Sequence, residues 1–266
     1  LDLRAGINFG KEKNYKLMNI ACSNCCPDKC FICKFCSNES LKILNESKCI
    51  VRHKKGQYIF HEGNIVQGIY IINSGKVKVI NTGFKGKTQI IRFAKAGHLL
   101  GHRGLGDKYY FISAVAIEDS TLCFIEKNTF TQLLKNDAQL TYHLMLFYAE
   151  ELRIAETRMR NLAQMTVREK AVEALLLLKK TFGLPMKDGE ILLDVLLNRG
   201  DIAELAGLSP EQITRCFSEL RDEGVISMDN KRVTILQSEN LYKTIAPYYP
   251  SGIFRESYSP TELIIS

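Results

Sequence analysis

Between residues 41 and 135 the apolar positions come in short runs broken by glycine: Gln57–Phe60, Gly68–Asn73, Lys76–Ile80, Thr88–Phe93, Ser113–Ile117 and Thr121–Ile125. Lys76-Val77-Lys78-Val79 alternates polar with apolar residues, the period of a strand that has one wet face. Asn73-Ser74-Gly75 supplies one hairpin turn, and Thr82-Gly83 with Lys85-Gly86 marks another. Short strands so closely spaced predict a small antiparallel, jelly-roll-like β-roll.

From Asp137 to Gln164 the period becomes helical, with neither Pro nor Gly over 28 residues. At about 1.5 Å per residue this helix is about 42 Å long, more than either flanking unit can cover. Leu144, Tyr148, Leu152, Ala155, Met159 and Leu162 follow one another at spacings of 4, 4, 3, 4 and 3, which predicts a coiled-coil seam between two copies of the chain. Glu150, Glu151, Arg153, Glu156, Arg158 and Arg160 flank it. The alternative is a helix that lies on its own roll.

A compact helical unit ending in a hairpin follows over residues 168–237. Arg168–Phe182 reads as one helix, stopped by Gly183 and Pro185. Asn198 can cap a short second helix whose apolar face is Ile202, Leu205 and Ala206, and Gly207 can end it. Ser209 then caps a third helix, with Pro210 at its first position and Gln212 completing a capping box. Ile213, Phe217 and Leu220 give that helix a buried stripe, leaving Glu211, Thr214 and Arg215 on the solvent side near its N-terminus. That end of a recognition helix enters the major groove, where Arg can bind guanine O6 and N7 and Glu can accept from cytosine N4. Glu211 and Arg215 can equally form an ordinary i,i+4 surface pair. Val225-Ile226-Ser227 and Arg232-Val233-Thr234-Ile235 flank Asp229-Asn230 as a wing, with Lys231 and Arg232 at its tip. Arg199, Ser209, Glu211, Gln212, Thr214, Arg215, Lys231 and Arg232 are thus the expected DNA-binding set.

The predicted architecture is α+β. It comprises a cysteine-rich segment (1–40), a β-roll (41–136), a dimerisation helix (137–165), a winged helix-turn-helix domain (166–240) and an unassigned tail rich in Tyr, Ser and Pro (241–266).

Composition refines this picture. Apolar residues make up 45% and charged residues 24% of the 266, as in ordinary globular proteins. The net charge of +7 suits a polyanionic partner. No apolar run nears the roughly 20 residues of a bilayer span, and Leu1–Lys16 lacks the apolar segment of a secretory signal, so a cytoplasmic protein is expected. The chain starts at Leu1 rather than Met, so further native residues are expected before it. Nine cysteines include six between Cys22 and Cys36, a density that in a reducing compartment points to metal or thiol chemistry. Cys22-x2-Cys25-x4-Cys30-x2-Cys33 is a possible tetrahedral zinc set. The five histidines show no catalytic spacing, and no phosphate loop or nucleophile-elbow motif occurs, so no enzyme is expected.

Roll, long helix and winged module in this order resemble the CRP/FNR transcription regulators. The resemblance rests on Lys55-Gly56-Gln57-Tyr58-Ile59-Phe60-His61-Glu62-Gly63, Ile71-Ile72-Asn73-Ser74-Gly75-Lys76-Val77, Ala96-Gly97-His98-Leu99-Leu100-Gly101 and the reading triplet Glu211-x-x-Thr214-Arg215. It implies a homodimer, double-stranded DNA with a palindrome of TGA-type half-sites, and RNA polymerase as a partner. Members that bind cyclic nucleotides have Gly-Glu and Arg-Ser/Thr-Ala in the roll. Here Gly101 is followed by His102-Arg103, and Ile112 precedes Ser113-Ala114, which argues against cyclic AMP; Gly101, His102, Arg103, Ser113 and Ala114 line whatever pocket remains. The oxygen-sensing members hold a [4Fe–4S] cluster on Cys-x2-Cys-x5-Cys and a distant roll cysteine. Cys22, Cys25 and Cys30 come within one residue of that spacing, and Cys123 in Ala116–Cys123 resembles the fourth ligand. The resemblance therefore implies a cluster, with zinc on the alternative set that includes Cys33, or no metal, left open beside it. Cys123 and Cys216 are also ordinary positions for small buried cysteines.

Overall fold

The computed structural model describes residue 22 and residues 30–249. Two four-stranded antiparallel sheets form the roll. One has the order β1 (Cys49–His53), β8 (Ser120–Glu126), β3 (Gly68–Ser74), β6 (Leu99–Leu100). The other runs β2 (Tyr58–Phe60), β7 (Ser113–Ala116), β4 (Lys76–Thr82), β5 (Thr88–Lys95). Alternate residues share the interior: Tyr70 and Ile72 of β3, Val77 and Val79 of β4, Leu122 of β8. Gly75, at φ +98°, makes the β3–β4 hairpin, and a Cβ there would come within 2.2 Å of Ser120 Oγ.

Both outer faces are covered, which is why β3 reads as the unbroken run Gly68-Ile69-Tyr70-Ile71-Ile72. Over the first sheet lie α1 (Phe31–Phe35), α2 (Asn38–Ser47), α3 (Lys127–Asn136) and the first half of α4 (Ala138–Gln164). Phe31, Ile32, Leu44, Phe130, Leu140, Leu144 and Phe147 pack there on Ile69, Ile71, Cys123 and Ile125. The cysteine-rich segment thus contributes α1 and the start of α2, and α3 lies in a stretch expected to be roll alone.

The outer face of the second sheet, through Ile80, Ile90 and Phe93, joins the core of the C-terminal domain. That domain holds α5 (Val167–Phe182), β9 (Gly183–Pro185), β10 (Ile191–Leu193), α6 (Arg199–Ala206), α7 (Pro210–Asp222), β11 (Ile226–Asp229), β12 (Arg232–Ile235) and α8 (Ser238–Ile245). Its sheet is four-stranded, β11-β12-β10-β9, so the wing expected from β11 and β12 is widened by two strands that sequence reading missed. The domain also runs past residue 240: Leu241, Ile245 and Tyr249 are in its core. Tyr249 Oη donates to Glu173 Oε1 at 2.5 Å and accepts from buried Asn161 Nδ2 at 2.7 Å, so the first part of the expected tail is structural.

α4 carries two apolar stripes. Leu140, Leu144 and Phe147 face the chain's own roll, and Tyr148 donates from its hydroxyl to His102 O at 2.6 Å. The outward stripe is Tyr142, Met145, Ala149, Leu152, Ala155 and Met159, spaced 3, 4, 3, 3 and 4, with Leu152 and Met159 60% and 69% exposed. The expected seam is therefore corrected. Leu144 and Tyr148 belong to the inner stripe, and Leu162 packs at the Gly207 turn, where a Cβ would meet its Cδ2 at 3.1 Å. Leu152, Ala155 and Met159 remain on the outer side.

Candidate nucleic-acid interface and thiol centre

The helix-turn-helix is built from local caps. Asn198 accepts from Asp201 N at 2.7 Å, and Gly207 ends α6 in the left-handed conformation at φ +66°. Ser209 Oγ accepts from Gln212 N at 3.2 Å while Gln212 Oε1 accepts from Ser209 N at 2.9 Å, closing the capping box that starts α7. Ile213, Cys216, Phe217 and Leu220 are buried, and Glu211, Thr214 and Arg215 are exposed. The Ser209 hydroxyl and the helix-terminal backbone hold the Glu211 carboxyl below its ordinary range. Arg215 pairs with Glu219, Nε to Oε1 at 4.0 Å, rather than with Glu211 as the alternative reading had it. Such an exposed pair contributes little and leaves the guanidinium able to turn toward a ligand.

Lys231 and Arg232 are exposed at the wing, beside Asn230 at φ +55°. Arg199 behaves differently from the expectation that it binds DNA. Its guanidinium lies over the Phe217 ring at 4.7 Å, with Nη2 2.9 Å from Met228 Sδ, so it stacks inside the domain. Ser209 and Gln212 serve each other as caps. Glu211, Thr214, Arg215, Lys231 and Arg232 are the members of the expected set that present side chains outward.

Phe60, Tyr70 and Tyr110 fill the roll interior, Phe60 stacking on Tyr110 with centroids 4.2 Å apart, and Tyr110 Oη donates to Gly68 O at 2.7 Å. Ala114 is fully buried among them, and Ser113 Oγ accepts from Glu62 N at 2.9 Å. Gly101, at φ +77°, leads into the turn that carries His102 and Arg103. The His102 side chain is buried and that of Arg103 is partly exposed. Arg103 reaches Glu151 of α4 through Nη2 at 2.5 Å and Nε at 3.1 Å, and His102 Nε2 lies 3.5 Å from the same carboxylate. Of the positions expected at an effector pocket, His102 and Arg103 fasten α4 to the roll through Glu151.

The cysteines gather in the apolar cluster that also holds Leu140, Leu144 and Phe147 of α4. Cys22 and Cys30 are buried, and the Cys33 thiol is hydrogen-bonded with both. Those bonds, with burial, push Cys33 far above the ordinary thiol range. Cys22 is drawn down to about 6 by Cys33, against burial, with the help of Lys48. Burial, Asp137, Cys30 and Cys22 push Cys36 up to about 12. Cys123 lies on the outward face of β8 in the same apolar cluster as Cys22 and Cys30, and Cys25 falls outside the described residues. Among the described residues no group of three or more His, Cys, Asp or Glu closes into a metal-holding set. Cys22, Cys30, Cys33 and Cys36 share one apolar cluster. Their softness, burial and mutual contact fit a thiophilic metal once a further sulfur joins them.

Two features that sequence reading missed tie this cluster to its neighbours. Asp137 caps α4 by accepting from Leu140 N at 3.0 Å, and its other oxygen accepts from Ser37 N at 2.8 Å, next to Cys36. Lys48 Nζ stands 2.8 Å from Cys22 Sγ. Asp137 is legible as a cap before a long helix, whereas Lys48, between Ser47 and Cys49, carries no local signal.

Known proteins match this arrangement. Residues 50–137 match the family described as cyclic nucleotide-binding domain, and residues 169–244 the Crp-like helix-turn-helix domain. The anaerobic regulatory protein of Bacillus subtilis is 26% identical over 206 residues, 77% of this chain and 86% of the relative. The fumarate and nitrate reduction regulatory protein of Salmonella typhimurium is 26% identical over 235 residues, 85% and 92% of the two chains. FixK2 from Bradyrhizobium japonicum, 22% identical, superposes with a TM-score of 0.67 over 74% of this chain and 96% of its own. These relatives are regulators rather than enzymes, and no helix among the described residues is long and apolar enough to cross a membrane. The β-roll, the long helix and the capped reading helix, together with both family matches, make this chain a DNA-binding transcription regulator of the CRP/FNR family.

Proposed function

We propose that the chain is a cytoplasmic homodimer that reads a palindrome of TGA-type half-sites, contacts RNA polymerase, and responds to redox state, oxygen or NO through a cysteine-bound metal centre. The observation that carries the sensing part is the contact of Cys33 with Cys22 and Cys30, on and beside a short helix that packs against α4. Cys22, Cys30 and Cys33 would hold the metal, with Cys25, Cys36 or Cys123 as the further sulfur. An iron–sulfur cluster held there supplies chemistry that reacts with oxygen.

The chain's own residues carry the consequence onward. Phe31 packs on Phe147 with centroids 5.3 Å apart, and Phe35 stacks on His143 at 3.9 Å. Asp137 joins Ser37 to the first turn of α4. A change in the spacing of the cysteines moves α1, and α1 cannot move without disturbing α4, a local event with a global readout. The names of the anaerobic and the fumarate–nitrate regulators agree with this reading.

Anaerobic purification with visible absorbance and analysis of iron, acid-labile sulfide and zinc tests it. Iron and sulfide in comparable amounts, with a band that bleaches in air, are expected; zinc alone, or no metal, overturns the cluster. The paired state is tested separately. Leu152→Arg places a charge in the middle of the outward stripe of α4, and sedimentation is expected to move from two chains to one with loss of tight DNA binding. A wild-type chain that sediments as a monomer at micromolar concentration removes the homodimer.

A further inference from the structure

We infer that Lys48 is a positioning residue for the thiol centre, its ammonium held against the sulfur of Cys22 to tune how firmly that sulfur binds metal; the inference rests on the metal reading above. Lys48 is 6% exposed, and its Nζ lies 2.8 Å from Cys22 Sγ. It is the residue that ends α2, donating its own N–H to Leu44 O at 3.0 Å, so its backbone is fixed by the helix. One turn earlier, Asn45 Oδ1 accepts from Cys22 N at 2.8 Å. The C-terminal end of α2 therefore grips residue 22 at both its backbone and its sulfur.

Burial makes this contact informative. A buried ammonium must face negative charge, because desolvation is otherwise uncompensated. A sulfur that carries negative charge, as every metal-bound cysteine sulfur does, answers the lysine, and a neutral thiol answers it poorly. The acidic group nearest the cysteines on α4 is Asp137, which is occupied with Ser37 and Leu140 and acts on Cys36. Hydrogen bonds to cluster sulfurs set reduction potential, and partners of metal ligands typically change metal affinity by about 10- to 100-fold when removed. Lys48 withdraws electron density from the Cys22 sulfur, which favours the more reduced, more negative centre.

The experiment compares anaerobically purified wild type with Lys48→Met, which keeps the buried stem and removes the charge, and with Lys48→Arg. The readouts are the rate at which a chelator strips the metal, the reduction potential, and circular dichroism as a check on folding. Lys48→Met is expected to lose metal about tenfold faster, with a more negative potential and an unchanged helical spectrum, and Lys48→Arg to restore most of the difference. Equal stripping rates and potentials in wild type and Lys48→Met overturn the role of Lys48 and leave the metal reading intact. Wild type without metal overturns both. Should Lys48→Met fail to fold, wild type grown on isotope-labelled lysine decides the matter. A magnetic coupling between the reduced centre and a lysine nitrogen is expected, and its absence overturns the assignment.

Discussion

Arg215→Ala is expected to abolish sequence preference while leaving weak, salt-sensitive binding to any duplex. The side chain is 69% exposed and its partner Glu219 is 4.0 Å away, so its removal takes little from the fold. A bidentate contact to guanine discriminates by about 1–3 kcal/mol, or about 5- to 160-fold for each half-site, and two copies lose it together. Lys231 and Arg232 stay exposed at the wing and continue to supply phosphate contacts, whose strength falls as salt rises. Selection of bound DNA from a random pool measures this directly. Should the variant still enrich a TGA-containing palindrome, Arg215 is not the residue that reads it.

The second large effect lies at Glu151. Desolvation raises the carboxyl's pKa, but His102, Arg92 and Arg103 outweigh it and hold the group well below the usual carboxylate range. Glu151→Gln leaves Arg92 and Arg103 without their counter-charge, and breaking a buried pair in this way costs about 3–5 kcal/mol. The melting temperature is expected to fall by about 10 °C, at about 2–4 °C per kcal/mol. The sign of the pH dependence follows from the native shifts. Glu151 is depressed, so its contribution is present above the unfolded value of about 4.3 and is lost as the pH falls below it. Burial holds His98 down to about 3 and His102 below its ordinary value. The unfolded chain therefore takes up protons that the native one refuses below about 6.5. Wild-type stability is expected to decline below that pH and to decline further below about 4.3; Glu151→Gln keeps the first decline and shows a smaller second one. Thermal melts from pH 2.5 to 8 check this, and a variant as stable as wild type at pH 7 removes the ion pair from the account.

The DNA module was almost wholly legible in the sequence because its determinants are local. Asn198, Gly207, Ser209, Pro210 and Gln212 act within one turn of themselves, and each occupies the cap expected of it. Roll strands were legible wherever alternation met a glycine turn. β1 and β6 were missed because one follows a helix without a turn signal and the other has two residues. The phase of α4 failed for a different reason. Its apolar residues serve two partners, and Leu144 and Tyr148 from the inner stripe had merged with Leu152, Ala155 and Met159 from the outer one. Glu151 had been placed on a charged flank; only the fold brings Arg103, 48 positions away in sequence, against it. The thiol cluster has the same character, since the proximity of Lys48 to Cys22 depends on how α2 lies over β8 and not on any spacing.

The C-terminal domain does not hang from the residue 165–167 junction. Lys78 Nζ reaches Asp201 at 2.7 Å, Thr88 Oγ1 donates to Glu204 at 2.6 Å, Gln89 donates to the Glu204 carbonyl, and Arg158 Nη2 donates to Leu205 O at 2.7 Å. α6 is thus buttressed from the roll and from α4 at once. In the paired state proposed here, the separation of the two reading helices is the property of a braced frame. One extra base pair between operator arms rotates the far arm by about 35° and shifts it by about 3.4 Å, a mismatch that such a frame cannot absorb by swivelling. Rigid spacing between operator arms is therefore expected from the bracing by Lys78, Thr88, Gln89 and Arg158.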